Sequence, residues 1–112
     1  MKLSELINDA KYYWHATSLD NLGSIMSNGI KKDRIEGVVY LTDSAQNAAK
    51  FLVVRGIKEI VSLRISAKKL DPSKLSESFD HSQSFFECKA YIYKGDIPES
   101  AIDFTKSLKF QL

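Results

Sequence analysis

Three short segments of the chain carry side chains capable of chemistry: Tyr13-Trp14-His15-Ala16-Thr17, Val39-Tyr40-Leu41-Thr42 and Phe85-Phe86-Glu87. Histidine titrates near neutrality and can donate or accept a hydrogen bond. A tyrosine offers a flat apolar ring with a polar tip, and a glutamate offers a fixed negative charge. Each residue also has a plainer reading. His15 can be a partly buried histidine satisfied by a backbone carbonyl, Tyr40 a strand aromatic filling the core, and Glu87 a solvated loop carboxylate.

Several familiar chemistries have no footing. The chain contains no G-x-G-x-x-G, no G-x-x-x-x-G-K-[ST], no H-E-x-x-H and no C-x-x-C, so neither a dinucleotide-binding Rossmann turn nor a P-loop is expected. His15 and His81 lie far apart and Cys88 is single, and no metal site is predicted. His81, with Ser82, Gln83 and Ser84, reads as a polar loop. Lys31, Lys32 and Arg34 read as a solvated turn that offers conceivable phosphate contacts.

The elements that position these residues follow from pattern. Residues 11–15 are aromatic-rich and read as a strand, with Thr17 and Ser18 as candidate caps of the helix after it. Leu19, Leu22, Ile25 and Met26 then fall on one helical face, Asp20 suits the helix N-terminus, and Gly29 can close its C-terminus. Residues 38–42 form a short strand. Asp43 and Ser44 cap a second helix over 45–54, ending before Gly56. Residues 57–65 alternate as a half-buried strand with Val61, Leu63 and Ile65 inward. Residues 70–87, polar and containing Asp71-Pro72, read as a long surface loop with one helical turn. Strands over 88–94 and 102–112 flank a turn at Pro98.

Composition sets the frame. A chain of 112 residues with 44% hydrophobic side chains builds one core, so a single domain over 1–112 is expected. The net charge of +2 is spread along the chain without a basic cluster, and no strong nucleic-acid-binding signature results. The lone Cys88 forbids an intramolecular disulfide and suits a reducing cytoplasmic compartment. Residues 1–10 carry Glu5 and Asp9 and lack a long apolar run, so neither a secretory signal nor a membrane span is expected.

The strand-ending Tyr13-Trp14-His15-Ala16-Thr17 leads into Ser18-Leu19-Asp20-Asn21-Leu22, with Gly29-Ile30 at the helix end. Val39-Tyr40-Leu41-Thr42-Asp43 then precedes the second helix. This arrangement resembles the ADP-ribosyltransferase superfamily, within it the His-Tyr-Glu branch and its relatives, the DNA-modifying toxins and the RNA 2′-phosphotransferases. The likeness covers residues 11–55 best and extends to Gly95-Asp96-Ile97-Pro98. It implies an α+β fold of two packed, mostly antiparallel sheets with two flanking helices and a cleft that takes NAD as substrate. His15 would then donate to the adenosine ribose, Tyr40 would stack on nicotinamide, and Glu87 would bind the nicotinamide ribose. The implied catalytic set is His15, Tyr40 and Glu87, and Ala16, Thr17 and Thr42 join His15 and Tyr40 in binding NAD. A fixed anion is needed because the departing nicotinamide leaves an oxocarbenium-like ribose.

The resemblance leaves three readings open. One is a transferase moving ADP-ribose from NAD to a protein or nucleic-acid acceptor, a role that suits a toxin or phage setting. A second is a catalytically silent member that binds a nucleotide or a protein partner as an inhibitor or regulator, favoured by the small size of the chain and by Lys89, which with Ala90 stands where a slightly later register would place the acid. The third is a 2′-phosphotransferase-like enzyme, which would need arginines around phosphate. Arg34, Arg55 and Arg64 are the only arginines in the chain.

Overall fold

The computed structural model describes residues 12–78 and 90–111. Lys11, His81, Glu87, Cys88 and Lys89, and the expected loop beyond residue 78, lie outside the described residues. In chain order the elements are β1 (Tyr12–Ser18), α1 (Leu22–Asn28), β2 (Val39–Thr42), α2 (Ala45–Val53), β3 (Glu59–Ser66), β4 (Leu75–Ser78), β5 (Ala90–Tyr93) and β6 (Ile102–Gln111). Short 3-10 turns cover Leu19–Asn21, Ala67–Lys69, Pro72–Lys74 and Glu99–Ala101.

The strands form one six-stranded antiparallel sheet in the order β4-β5-β2-β1-β3-β6. The expectation of two packed sheets is thereby corrected. β1 pairs with β3 on one side and β2 on the other, so a single ladder runs through the molecule. The two joins differ in extent. β1 and β3 are in register from Tyr12↔Ser66 to Ser18↔Ile60, whereas β1 and β2 meet in register only at Trp14↔Thr42 among the described residues.

Residues directly opposite in a ladder share a face. Tyr13, Leu63, Ile65, Val39, Leu41 and Tyr93 therefore lie on one face, where they pack with Ile25 of α1, Ile30 and Ile97. Burying each of the large aliphatic side chains stabilises the fold by about 1.5–3 kcal/mol. The opposite face carries Trp14, Ala16, Tyr40, Thr42 and Ser62 and receives α2. There the fully buried Ser62 hydroxyl donates to the Ala45 carbonyl at 2.8 Å. β3 is thus covered on both faces at its centre rather than half-buried as its alternation suggests.

Two helix starts behave differently. Ser44 caps α2 by accepting from the Asn47 N–H at 3.1 Å, as its sequence predicts. Ser18 makes no such bond, and Thr17 Oγ1 instead accepts from Asn21 Nδ2 at 2.9 Å. Both residues belong to β1, and the 3-10 turn intervenes before α1. Leu19, Leu22 and Ile25 stay toward the core, whereas Met26, expected on the same face, is 53% exposed. Beyond Asp71, residues expected in a loop form edge strand β4. Ser76 and Glu77 lack an apolar pattern, and pairing to β5 rests on the backbone ladder.

Gly29 ends α1 with φ +76° and ψ −172°, a region open essentially to glycine. A Cβ here would lie 2.3 Å from the Ile97 carbonyl oxygen. That close approach permits the reciprocal hydrogen bonds between Ile30 and Ile97, each 2.8 Å, which tie the end of α1 to the segment before β6.

Candidate functional site

β1 and β2 part on one side of Trp14↔Thr42, and the ring of His15 turns into the seam. Its Nδ1 lies 2.8 Å from the Tyr40 carbonyl oxygen. A carbonyl only accepts, so Nδ1 carries the proton. Burial pushes the His15 pKa down, against the opposing influence of this hydrogen bond, and the ring is neutral at physiological pH. In neutral imidazole the second nitrogen, Nε2, is an acceptor. That polarity is opposite to the donor role the resemblance implies.

A cleft of about 310 Å³ opens along this seam between the sheet and α2. Its size falls at the lower end of the ~300–1,000 Å³ typical of small-molecule sites. The sheet contributes Trp14, His15, Ala16, Tyr40 and Thr42, and α2 with the turn after it contributes Phe51 and Arg55. Tyr40 is 40% exposed, so its ring faces the opening rather than the core. The Thr42 hydroxyl donates to the Ser44 carbonyl at 2.8 Å and fixes the turn into α2.

The structure therefore brings His15, Ala16, Tyr40 and Thr42 to one cleft. Thr17 is not among the lining residues, and its hydroxyl holds Asn21. Glu87 lies outside the described residues. Ala90, the first described residue of β5, pairs with Thr42 and lines the cleft. Position 90 thus brings a methyl group rather than a carboxylate.

Two charged lining residues were not singled out from sequence. Glu36 reaches the cleft from the turn before β2, where its carboxylate accepts from the Tyr40 hydroxyl at 2.5 Å. That turn is built by Asp33, whose carboxylate accepts from the Ile35 and Glu36 N–H groups at 2.6 and 2.9 Å. These bonds, that from Glu36 first, hold the Asp33 carboxyl below the usual carboxylate range. Arg55 stands in the turn after α2, at the spacing i, i+3, i+4, i+7 from Ala48, Phe51 and Leu52, and all four line the cleft. Glu36 had no periodic signal.

No protein-family model matches the chain, and comparison with curated proteins finds no match. Among the described residues no helix is long and apolar enough to cross a membrane.

Proposed function

We propose that the cleft at the β1–β2 seam binds NAD and that the chain is an ADP-ribosyltransferase-like protein, moving ADP-ribose to a macromolecular acceptor. One observation carries this reading: His15 and Tyr40, on different strands, converge on one cleft where the sheet is joined by a single register pair. A seam of that kind divides β4-β5-β2 from β1-β3-β6, which is the kind of place where the resemblance seats NAD. The aromatic walls suit flat heterocycles, and the acceptor nitrogen of His15 suits a ribose hydroxyl. In the transfer, the ribose–nicotinamide C–N bond breaks with its electrons leaving on nicotinamide. The acceptor's nucleophile bonds to the same ribose carbon and gives up its proton. Glu87 is the residue proposed to stabilise the positive charge that develops on the ribose.

A second reading is favoured by Ala90 on the cleft wall: the same site binds a nucleotide without transferring it. Calorimetry with NAD on the wild type, His15→Ala and Tyr40→Ala, each checked for folding by circular dichroism, tests the shared step. Binding lost in both folded variants supports the site, and absence of wild-type binding at millimolar NAD overturns it. Transfer assays with Glu87→Gln then separate the two readings. Wild-type transfer abolished by this change supports catalysis, and a wild type that binds without transferring supports the silent binder.

A further inference from the structure

Glu36 is a carboxylate that the resemblance does not assign, and its placement is built rather than incidental. The Asp33 carboxylate holds the backbone at Ile35 and Glu36, Gly37 turns the chain at φ +69°, and the Glu36 side chain meets the Tyr40 hydroxyl. The turn's tip, Ile35, is 94% exposed. The turn therefore contributes nothing to the core through that side chain, while it delivers Glu36 to the cleft. Glu36 and Arg55 both line the cleft and form no ion pair with each other among the described residues, so the cleft presents two separate opposite charges.

An ionised carboxylate only accepts hydrogen bonds, through two oxygens with about four lone-pair sites. The Tyr40 hydroxyl occupies one of these. The ligand group that best satisfies the rest is one with adjacent hydroxyl donors, and a carboxylate is a recurrent partner of the ribose hydroxyl. A phosphate, itself an acceptor with negative charge, is repelled from Glu36 and attracted to the guanidinium of Arg55.

We propose that Glu36 binds a ribose diol of the ligand, so that the nucleotide enters with a ribose at the Glu36–Tyr40 wall and its phosphates toward Arg55. This rests on the nucleotide reading of the cleft and assigns to Glu36 a ribose contact distinct from that of Glu87.

The test compares NAD with NAD analogues lacking one ribose hydroxyl, on each ribose in turn, by calorimetry with the wild type, Glu36→Gln, Tyr40→Phe and Glu87→Gln. Loss of a hydroxyl bonded to a charged group costs about tenfold or more in affinity. At least one analogue is therefore expected to bind the wild type that much more weakly than NAD. For the analogue whose affinity loss does not depend on Glu87, identified with Glu87→Gln, this discrimination should shrink to within about threefold in Glu36→Gln and persist in Tyr40→Phe. Discrimination unchanged in Glu36→Gln overturns the assignment. So does discrimination lost equally in Tyr40→Phe, because Glu36 would then act only by holding the ring. Absence of NAD binding by the wild type overturns the nucleotide reading itself, whereas wild-type binding with unchanged discrimination in Glu36→Gln overturns the Glu36 assignment alone.

Discussion

The imidazole of His15 and the backbone carbonyl of Tyr40 are 2.8 Å apart and bridge β1 to β2 where the strand ladder is absent. A side chain thus replaces the main-chain bond at the seam. The substitution has a consequence for acid stability. The folded-state pKa of His15 lies below its ordinary 6.5 because of burial, so the unfolded chain takes up a proton first as pH falls. Stability due to His15 is full above pH 6.5 and is lost on acidification down to the folded pKa, with a slope of at most about 1.4 kcal/mol per pH unit. Urea midpoints at pH 7.5 and 5.5 should therefore differ more for the wild type than for His15→Gln. Equal shifts in the two proteins would contradict the burial of this ring. Asp33, Asp71, Asp96 and Asp103, all held below 3.8, act in a separate and more acidic window, where stability falls as they protonate.

Asp33 is not among the residues lining the cleft, yet its carboxylate holds the Glu36 N–H and governs where Glu36 stands. Asp33→Ala should weaken NAD binding by roughly three- to tenfold, the equivalent of losing one or two ordinary hydrogen bonds. Asp33→Asn, which keeps an acceptor oxygen, should lose less. If both variants bind like the wild type in calorimetry, the turn does not set the cleft.

Gly29 and Gly37 both have positive φ, at +76° and +69°, but their surroundings differ. A Cβ at Gly29 would meet the Ile97 carbonyl oxygen, whereas nothing lies within 4 Å of one at Gly37. Gly37→Ala should cost about 1–2 kcal/mol, the left-handed penalty alone. Gly29→Ala should cost at least about 1 kcal/mol more, since the chain must also move away from Ile97. Denaturant unfolding that ranks the two variants equally would show that the Gly29 approach to Ile97 is not tight.

The parts of the fold that were legible in sequence are those set by local chemistry. Ser44 and Gly56 bracket α2 because a cap and a positive-φ glycine act on neighbouring residues. The alternation of Val61, Leu63 and Ile65 marks an inward face for the same reason. β4 is not legible in sequence because Ser76 and Glu77 pair through the backbone of an edge strand, which leaves no apolar trace. The single sheet was not legible either, since whether β1 and β2 join is decided by pairing between residues 28 positions apart, Trp14 and Thr42. Of the site, His15 and Tyr40 lay within recognisable strand motifs, while Glu36 arrives on a turn whose geometry depends on Asp33. Arg55 sat in plain helical register with Phe51, but no periodicity says which face of a helix borders a cleft.

That helix face depends in turn on one buried polar contact. Ser62 has no exposed surface, and its hydroxyl donates to the Ala45 carbonyl at 2.8 Å, fixing the first turn of α2 on β3. Because α2 carries Phe51 and Leu52 and leads to Arg55, a shift at its start moves one wall of the cleft. Ser62→Ala removes the donor and leaves a small gap, and the protein should lose about 1–2 kcal/mol of stability. NAD affinity should fall in the same variant although Ser62 does not line the cleft. Ser62→Thr retains the hydroxyl but adds a methyl group to a packed interface, so it should restore the hydrogen bond at the cost of overpacking by about 1–3 kcal/mol. Denaturation and calorimetry on the two variants separate these effects. An affinity loss in Ser62→Ala alone would tie the cleft wall to the hydrogen bond, and wild-type affinity in a destabilised Ser62→Ala would show that α2 is seated by its alanine face, Ala45, Ala48 and Ala49, without it.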